Sequence, residues 1–157
     1  MKKWIFTLAV AILCTACKRQ DNAFEAFAEH FGKTATFAYA QIGNRQVLLV
    51  SHEVFGGEET DGLEAVAASV FALDADGKIV SLGSVRSQGT LYPISVADNK
   101  LMVAGHRFVS IYDIRGEAEP ELTLCSHEEG DSESPALQAL FQTFEQGEPV
   151  IFQTARP

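Results

Sequence analysis

Cysteine is scarce in this chain. Three thiols stand in 157 residues, at Cys14, Cys17 and Cys125, too few and too unevenly placed for a disulfide framework. Long apolar stretches are missing too. Trp4 to Leu13 carries no charge but is ten residues long, and a permanent membrane-spanning helix needs about 20. Positive charge is the third shortage. Lys and Arg number 12 against 21 Asp and Glu, a net charge of −9. Such a balance repels phosphate, so nucleic acid is not the expected partner, and it opposes electrostatic adsorption to anionic lipid.

Catalytic and metal-binding patterns are also absent. There is no Gly-x-Ser-x-Gly elbow and no glycine-rich phosphate loop. Ser51-His52-Glu53 are sequence neighbours, and adjacent strand residues point to opposite faces, so they make no triad. His30, His52, His106 and His127 show none of the short spacings of zinc sites. Asp74-x-Asp76-Gly77 opens like a calcium loop but lacks the further ligands and closing glutamate; a turn accounts for it. Arg86, His106 and Arg107 are cationic candidates for an anion, with solvated loop charge as the default reading. Cys125 and His127 are two apart, hence on one face of a regular strand, where a thiolate–imidazolium pair is nucleophilic. Leu122 and Leu124 mark the inward face and leave both on the other. A non-catalytic chain without metal or cofactor is therefore expected. Cys125 is expected as an exposed thiol open to intermolecular pairing.

What is present starts at the N-terminus. Lys2 and Lys3 precede the apolar run, and Cys14-Thr15-Ala16-Cys17 follows it. A basic start, a short apolar core and small residues make a secretory signal peptide. Leu13 is too bulky to stand beside a scissile bond ahead of Cys14, so cleavage is expected between Ala16 and Cys17. Thr15-Ala16-Cys17 resembles the lipobox of bacterial lipoproteins, with Cys14 where leucine is usual. That resemblance implies a diacylglyceryl group on the Cys17 thiol and an acylated amine. Each buried methylene contributes about 0.8 kcal/mol, and one chain alone anchors only reversibly; three hold a domain permanently. Lys18, in place of an aspartate after the lipidated residue, implies the outer membrane, facing the periplasm.

The expected organisation is a signal at 1–16, a lipidated tether at 17–21 and one globular domain at 22–157. Cleavage leaves 141 residues and removes Lys2 and Lys3, so the charge falls to −11. Asn22 and Glu25 form a capping pair. Phe24, Phe27, Ala28 and Phe31 follow at helical spacing, with Gly32 to close the helix. From Thr34 to Gln41 the period is two, Gly43-Asn44 is a turn, and Gln46–Phe55 is a β-rich run. Residues 56–62 are an acidic loop. Residues 63–69 fit a helix or a strand, with a strand expected from about 66. "DGKIVSLG" at Asp76 and "DNKLMVAG" at Asp98 read twice as a hairpin turn entering a buried strand.

Val70 to about Glu117 resembles a blade of a quinoprotein-like β-propeller. The chain is too short to close such a ring, so only the hairpin geometry is carried over. Residues 128–134 read as an acidic loop. Ser134-Pro135 starts a helix with Leu137, Leu140, Phe141 and Phe144 on its apolar face, and Val150-Ile151-Phe152 returns as a strand. The expected fold is α+β, an antiparallel meander with an amphipathic helix from each end packed on it. The expected role is a membrane-anchored envelope lipoprotein that binds or assembles with an envelope protein or glycan. A periplasmic thiol enzyme using Cys125 and His127, or a dimerising scaffold, is the alternative.

Overall fold

A computed structural model describes residues 23–32, 34–56 and 62–154. The expected signal peptide, Cys17, the expected tether, Asn22 and most of the acidic loop at 56–62 lie outside the described residues. The chain is a sheet-rich α+β protein, and every strand pairing is antiparallel.

Helix α1 is α-helical over 23–28 and tightens into a 3₁₀ turn at Glu29–Phe31. Gly32, at φ +79°, ends it, a conformation that costs a glycine little. Strands β1 (Thr36–Ile42) and β2 (Arg45–Ser51) form a hairpin, and β3 (Val54–Gly56) pairs with β4 (Leu63–Ala65). Strand β5 (Ala67–Leu73) follows β4 after Val66 alone, so residues 63–69 are strand, not helix. Then come β6 (Ile79–Arg86), β7 (Ser95–Ala97), β8 (Lys100–Gly105), β9 (Phe108–Arg115) and β10 (Glu121–Glu129). Helix α2 (Pro135–Glu145) and two short strands, β11 (Glu148–Pro149) and β12 (Gln153–Thr154), close the described chain.

The expected single meander divides into two five-stranded sheets, ordered β12-β1-β2-β5-β6 and β10-β9-β8-β7-β11. The division follows from the central strands. "QVLLV" in β2 and "LMVA" in β8 are apolar without alternation, so both of their faces must be covered. Val47, Leu49, Leu101 and Val103 share one buried cluster drawn from both sheets. The opposite faces join separate clusters: Leu48, Val50 and Phe71 with Phe24 and Ala28 of α1, and Met102, Ala104, Val109 and Ile111 with Leu137 and Phe144 of α2. The stretch that resembles a propeller blade is split, with β5 and β6 in one sheet and β7 to β9 in the other.

The two turns of the internal repeat lead to different strands. Strand β8 is central and buried after Lys100, whereas β6 is the edge of its sheet and has one buried residue, Val85. An edge strand has one neighbour, and its outer residues meet water. Asp98 and Asn99 both take positive φ, 49° and 55°, giving the two-residue turn that matches strand twist. At Asp74, Oδ1 accepts from the backbone N–H groups of Asp76 and Lys78 at 3.0 and 2.9 Å, the local bonding of an aspartate-initiated turn.

Two bulges shift side-chain parity. Val70 pairs with Gly83 and Phe71 with Ser81, so Leu82 is the extra residue in β6. Leu82 and Val85 thereby both reach the inter-sheet core, which regular alternation forbids for residues three apart. In β10 the extra residue is Cys125, between Leu124 paired with Tyr112 and Ser126 paired with Ile111.

Residues 148–154 depart from the expected strand at 150–152. Glu148 and Pro149 pair with β7 of one sheet, and Gln153 and Thr154 pair with β1 of the other. Between them Val150 N–H donates to Ile94 O at 2.9 Å and Phe152 N–H to Leu63 O at 2.7 Å. Both side chains are buried, so this segment stitches the two sheets along one side.

Candidate functional site

The bulge at Cys125 dismantles the expected thiol–imidazole pair. Leu122 pairs with Ile114 and Leu124 with Tyr112; past the bulge, His127 pairs with Ser110 and Glu129 with Phe108. Directly paired residues share a face. Tyr112, Ile114 and Phe108 pack toward the inter-sheet core, so His127 lies on the Leu122 side, contrary to the expectation that it stands with Cys125. The imidazole Nδ1 is hydrogen-bonded to Ser110 Oγ at 2.8 Å, and Nε2 is 3.8 Å from Glu129 Oε2. Cys125 is exposed and free. Its thiol donates to Thr123 O at 3.6 Å and lies 4.0 Å from Arg115 Nη2.

Ser110, His127 and Glu129 line up as hydroxyl, imidazole and carboxylate, a set with hydrolytic precedent. Ser110 is only 4 % exposed. A nucleophile must meet its substrate, so this row serves as a cross-strand polar contact between β9 and β10. The sequence offered a weak signal for it: Ser110 is the polar residue inside the apolar run of β9.

The cationic candidates do not converge. Arg86 is committed to Glu53 through two hydrogen bonds of 2.8 and 2.5 Å. Its guanidinium holds the Glu53 carboxyl below the usual range, chiefly by hydrogen bonding, and Glu53 raises Arg86 in turn. His106 Nδ1 meets Tyr92 OH at 3.2 Å, and Arg107 Nε donates to Gly130 O at 3.0 Å. Among the described residues no three His, Cys, Asp or Glu side chains gather in a metal-binding cluster. The Glu53–Arg86 pair flanks a shallow groove of about 200 Å³ over Ser69 and Ser84, with His52 at its rim. Glu53 and Arg86 are 33 positions apart in the sequence, and the fold brings them together through Val66, whose N–H donates to Glu53 O and whose carbonyl accepts from Ser87 N–H.

A larger recess of about 630 Å³ lies between α1 and the stitched side of the first sheet. Glu25 and Glu29 of α1 line it with Phe37, Tyr39, Ile151 and Gln153. Four large apolar side chains are exposed among the described residues, and two of them, Tyr39 at 41 % and Ile151 at 42 %, are in this recess. Isolated exposed apolar residues are ordinary; two sharing one concavity form a surface suited to binding. No sequence periodicity pointed to it, because Tyr39 and Ile151 are joined only by the crossing of the chain's end. No family model, curated protein or solved structure matches the chain.

Proposed function

We propose that this chain is an exported lipoprotein, anchored through Cys17 to the outer membrane, whose domain has a non-catalytic binding or assembly role in the cell envelope. The observation that carries the reading is the N-terminal order: Lys2 and Lys3, an uncharged run to Leu13, then Thr15-Ala16-Cys17. The described domain opens at residue 23. Residues 17–21 are, on this proposal, the lipidated tether, short enough to keep the domain close to the bilayer. In this reading α1 and α2 are amphipathic covers for the outer sheet faces, and the concave surface beside α1 is left for a partner.

Mass spectrometry of protein from its native cell tests the anchor. The parent should begin at Cys17 and carry three acyl chains, and the Cys17→Ser variant should carry none. Parent protein that retains Met1, or lacks acyl mass, refutes the assignment. Crosslinking in intact envelopes tests the binding role, which predicts at least one specific adduct.

A further inference from the structure

We infer that the recess beside α1 seats an amphipathic helix of a partner protein, one that carries a cationic stripe next to an apolar stripe. The inference rests on the binding role proposed above and names its surface and partner class. The first sheet has five strands, so its outer face is about 19 Å wide, whereas a helix with its side chains covers about 10–12 Å. Helix α1 covers the middle: Phe24 and Ala28 pack with Leu48 and Val50 of β2 and Phe71 of β5. The two flanks of that face differ in chemistry. On the β6 flank Ser81 and Ser84 are exposed and share the outer face with their pairing partners Phe71 and Ser69; water satisfies such a surface. On the β1 flank Phe37 and Tyr39 share the face with their partners Val50 and Leu48. With Ile151 they line the recess, and Tyr39 and Ile151 are more than two-fifths exposed.

The wall of the recess is acidic. Glu25 and Glu29 are four apart on α1, hence on one side of it, and both line the recess. They are exposed, and among the described residues no lysine or arginine lines the recess with them. The apolar floor and the acidic wall meet at a corner on one face of the sheet. A helix fits a corner, because its consecutive residues point about 100° apart. Apolar side chains at i, i+4 and i+7 meet the floor, and lysine or arginine at i+1, i+5 and i+8 meets the wall. Helices pack about 8–10 Å apart, so cations four apart on the partner stand opposite Glu25 and Glu29. Charge also argues against two other occupants. The wall opposes an anionic lipid surface. A second copy brings no such stripe: neither described helix carries Lys or Arg, and Arg45, Arg86, Lys100 and Arg107 are each hydrogen-bonded within their own fold.

The test uses the full chain and a fluorescent alanine-based peptide of about 15 residues, long enough to populate a helix. It carries leucine at i, i+4 and i+7 and lysine one position after each. Fluorescence anisotropy should show saturable binding, and the bound peptide's amides should gain protection from exchange. The double variant Glu25→Gln, Glu29→Gln should weaken binding at least tenfold, as should Ile151→Thr. A peptide with each lysine moved one position further keeps its charge and its leucines but turns the cations away from the wall; it should bind at least tenfold less tightly. So should a peptide whose helix is broken by central prolines. Binding that ignores the double variant overturns the inference, as does equal binding of the shifted or the broken peptide, or no binding at millimolar peptide. Self-association abolished by the same substitutions assigns the recess to a second copy and also overturns it. Envelope crosslinking separates this inference from the reading it rests on. A partner captured equally by the parent and the double variant keeps the binding role and rejects the recess. Absence of any adduct rejects the binding role, and the inference with it.

Discussion

Asp113 and Lys100 meet at 3.0 Å on β9 and β8, with the carboxylate side chain 22 % exposed. Asp113 is held below the usual aspartate range, first by the Lys100 hydrogen bond and further by the Ile114 N–H and the charges of Lys100 and Arg115. A depressed carboxylate stabilises the fold above its unfolded value, about 3.9. That contribution is lost as pH falls through the lower folded value. Asp113→Asn should therefore destabilise by about 1 kcal/mol at pH 7, and the difference should vanish in strong acid; urea melts at both pH values measure it. Cys125 offers a contrast. Its contacts are long and it is exposed, so Cys125→Ser should shift stability by less than about 0.5 kcal/mol, while the parent thiol should react with a maleimide in the native state. The sequence made Cys125 and His127 visible as chemistry-bearing residues. Their separation was hidden, because a bulge is a property of two strands and leaves no mark in the spacing of one.

The helices and hairpins were the legible elements. Phenylalanine spacing at 24, 27 and 31, Pro135 at the start of α2, and the turns at Gly43, Asp74 and Asp98 all stand where local rules put them. Ser134 marks the start of α2 without capping it, since its side chain makes no capping hydrogen bond. The allocation of strands to two sheets was not legible. "QVLLV" announces burial on both faces, yet it does not say which of them meets a sheet and which a helix. Phe24 and Phe144 are 0 % and 8 % exposed, so Phe24→Ala and Phe144→Ala should each cost about 3 kcal/mol, read from denaturant midpoints. Asn99, at φ +55°, should tolerate glycine, whereas Asn99→Val should cost about 1–2 kcal/mol because a β-carbon branch crowds the left-handed region.

For the molecule as a whole, the decisive segment is the one that serves both sheets. Phe152 is 1 % exposed and lies between two-residue ladders to β7 and β1. Phe152→Ser should remove about 3–5 kcal/mol from a total that for domains of this size is roughly 5–15 kcal/mol. A chain ended after Gly147 should lose its sharp thermal transition altogether, which circular dichroism and sedimentation would register as a broad melt and aggregation. One consequence concerns time. The residues that fasten one sheet to the other follow, in chain order, all the strands they fasten, so until they dock neither sheet has a fixed partner. Refolding should therefore end in one concerted step, with residues 148–154 gaining exchange protection together with the strands of both sheets.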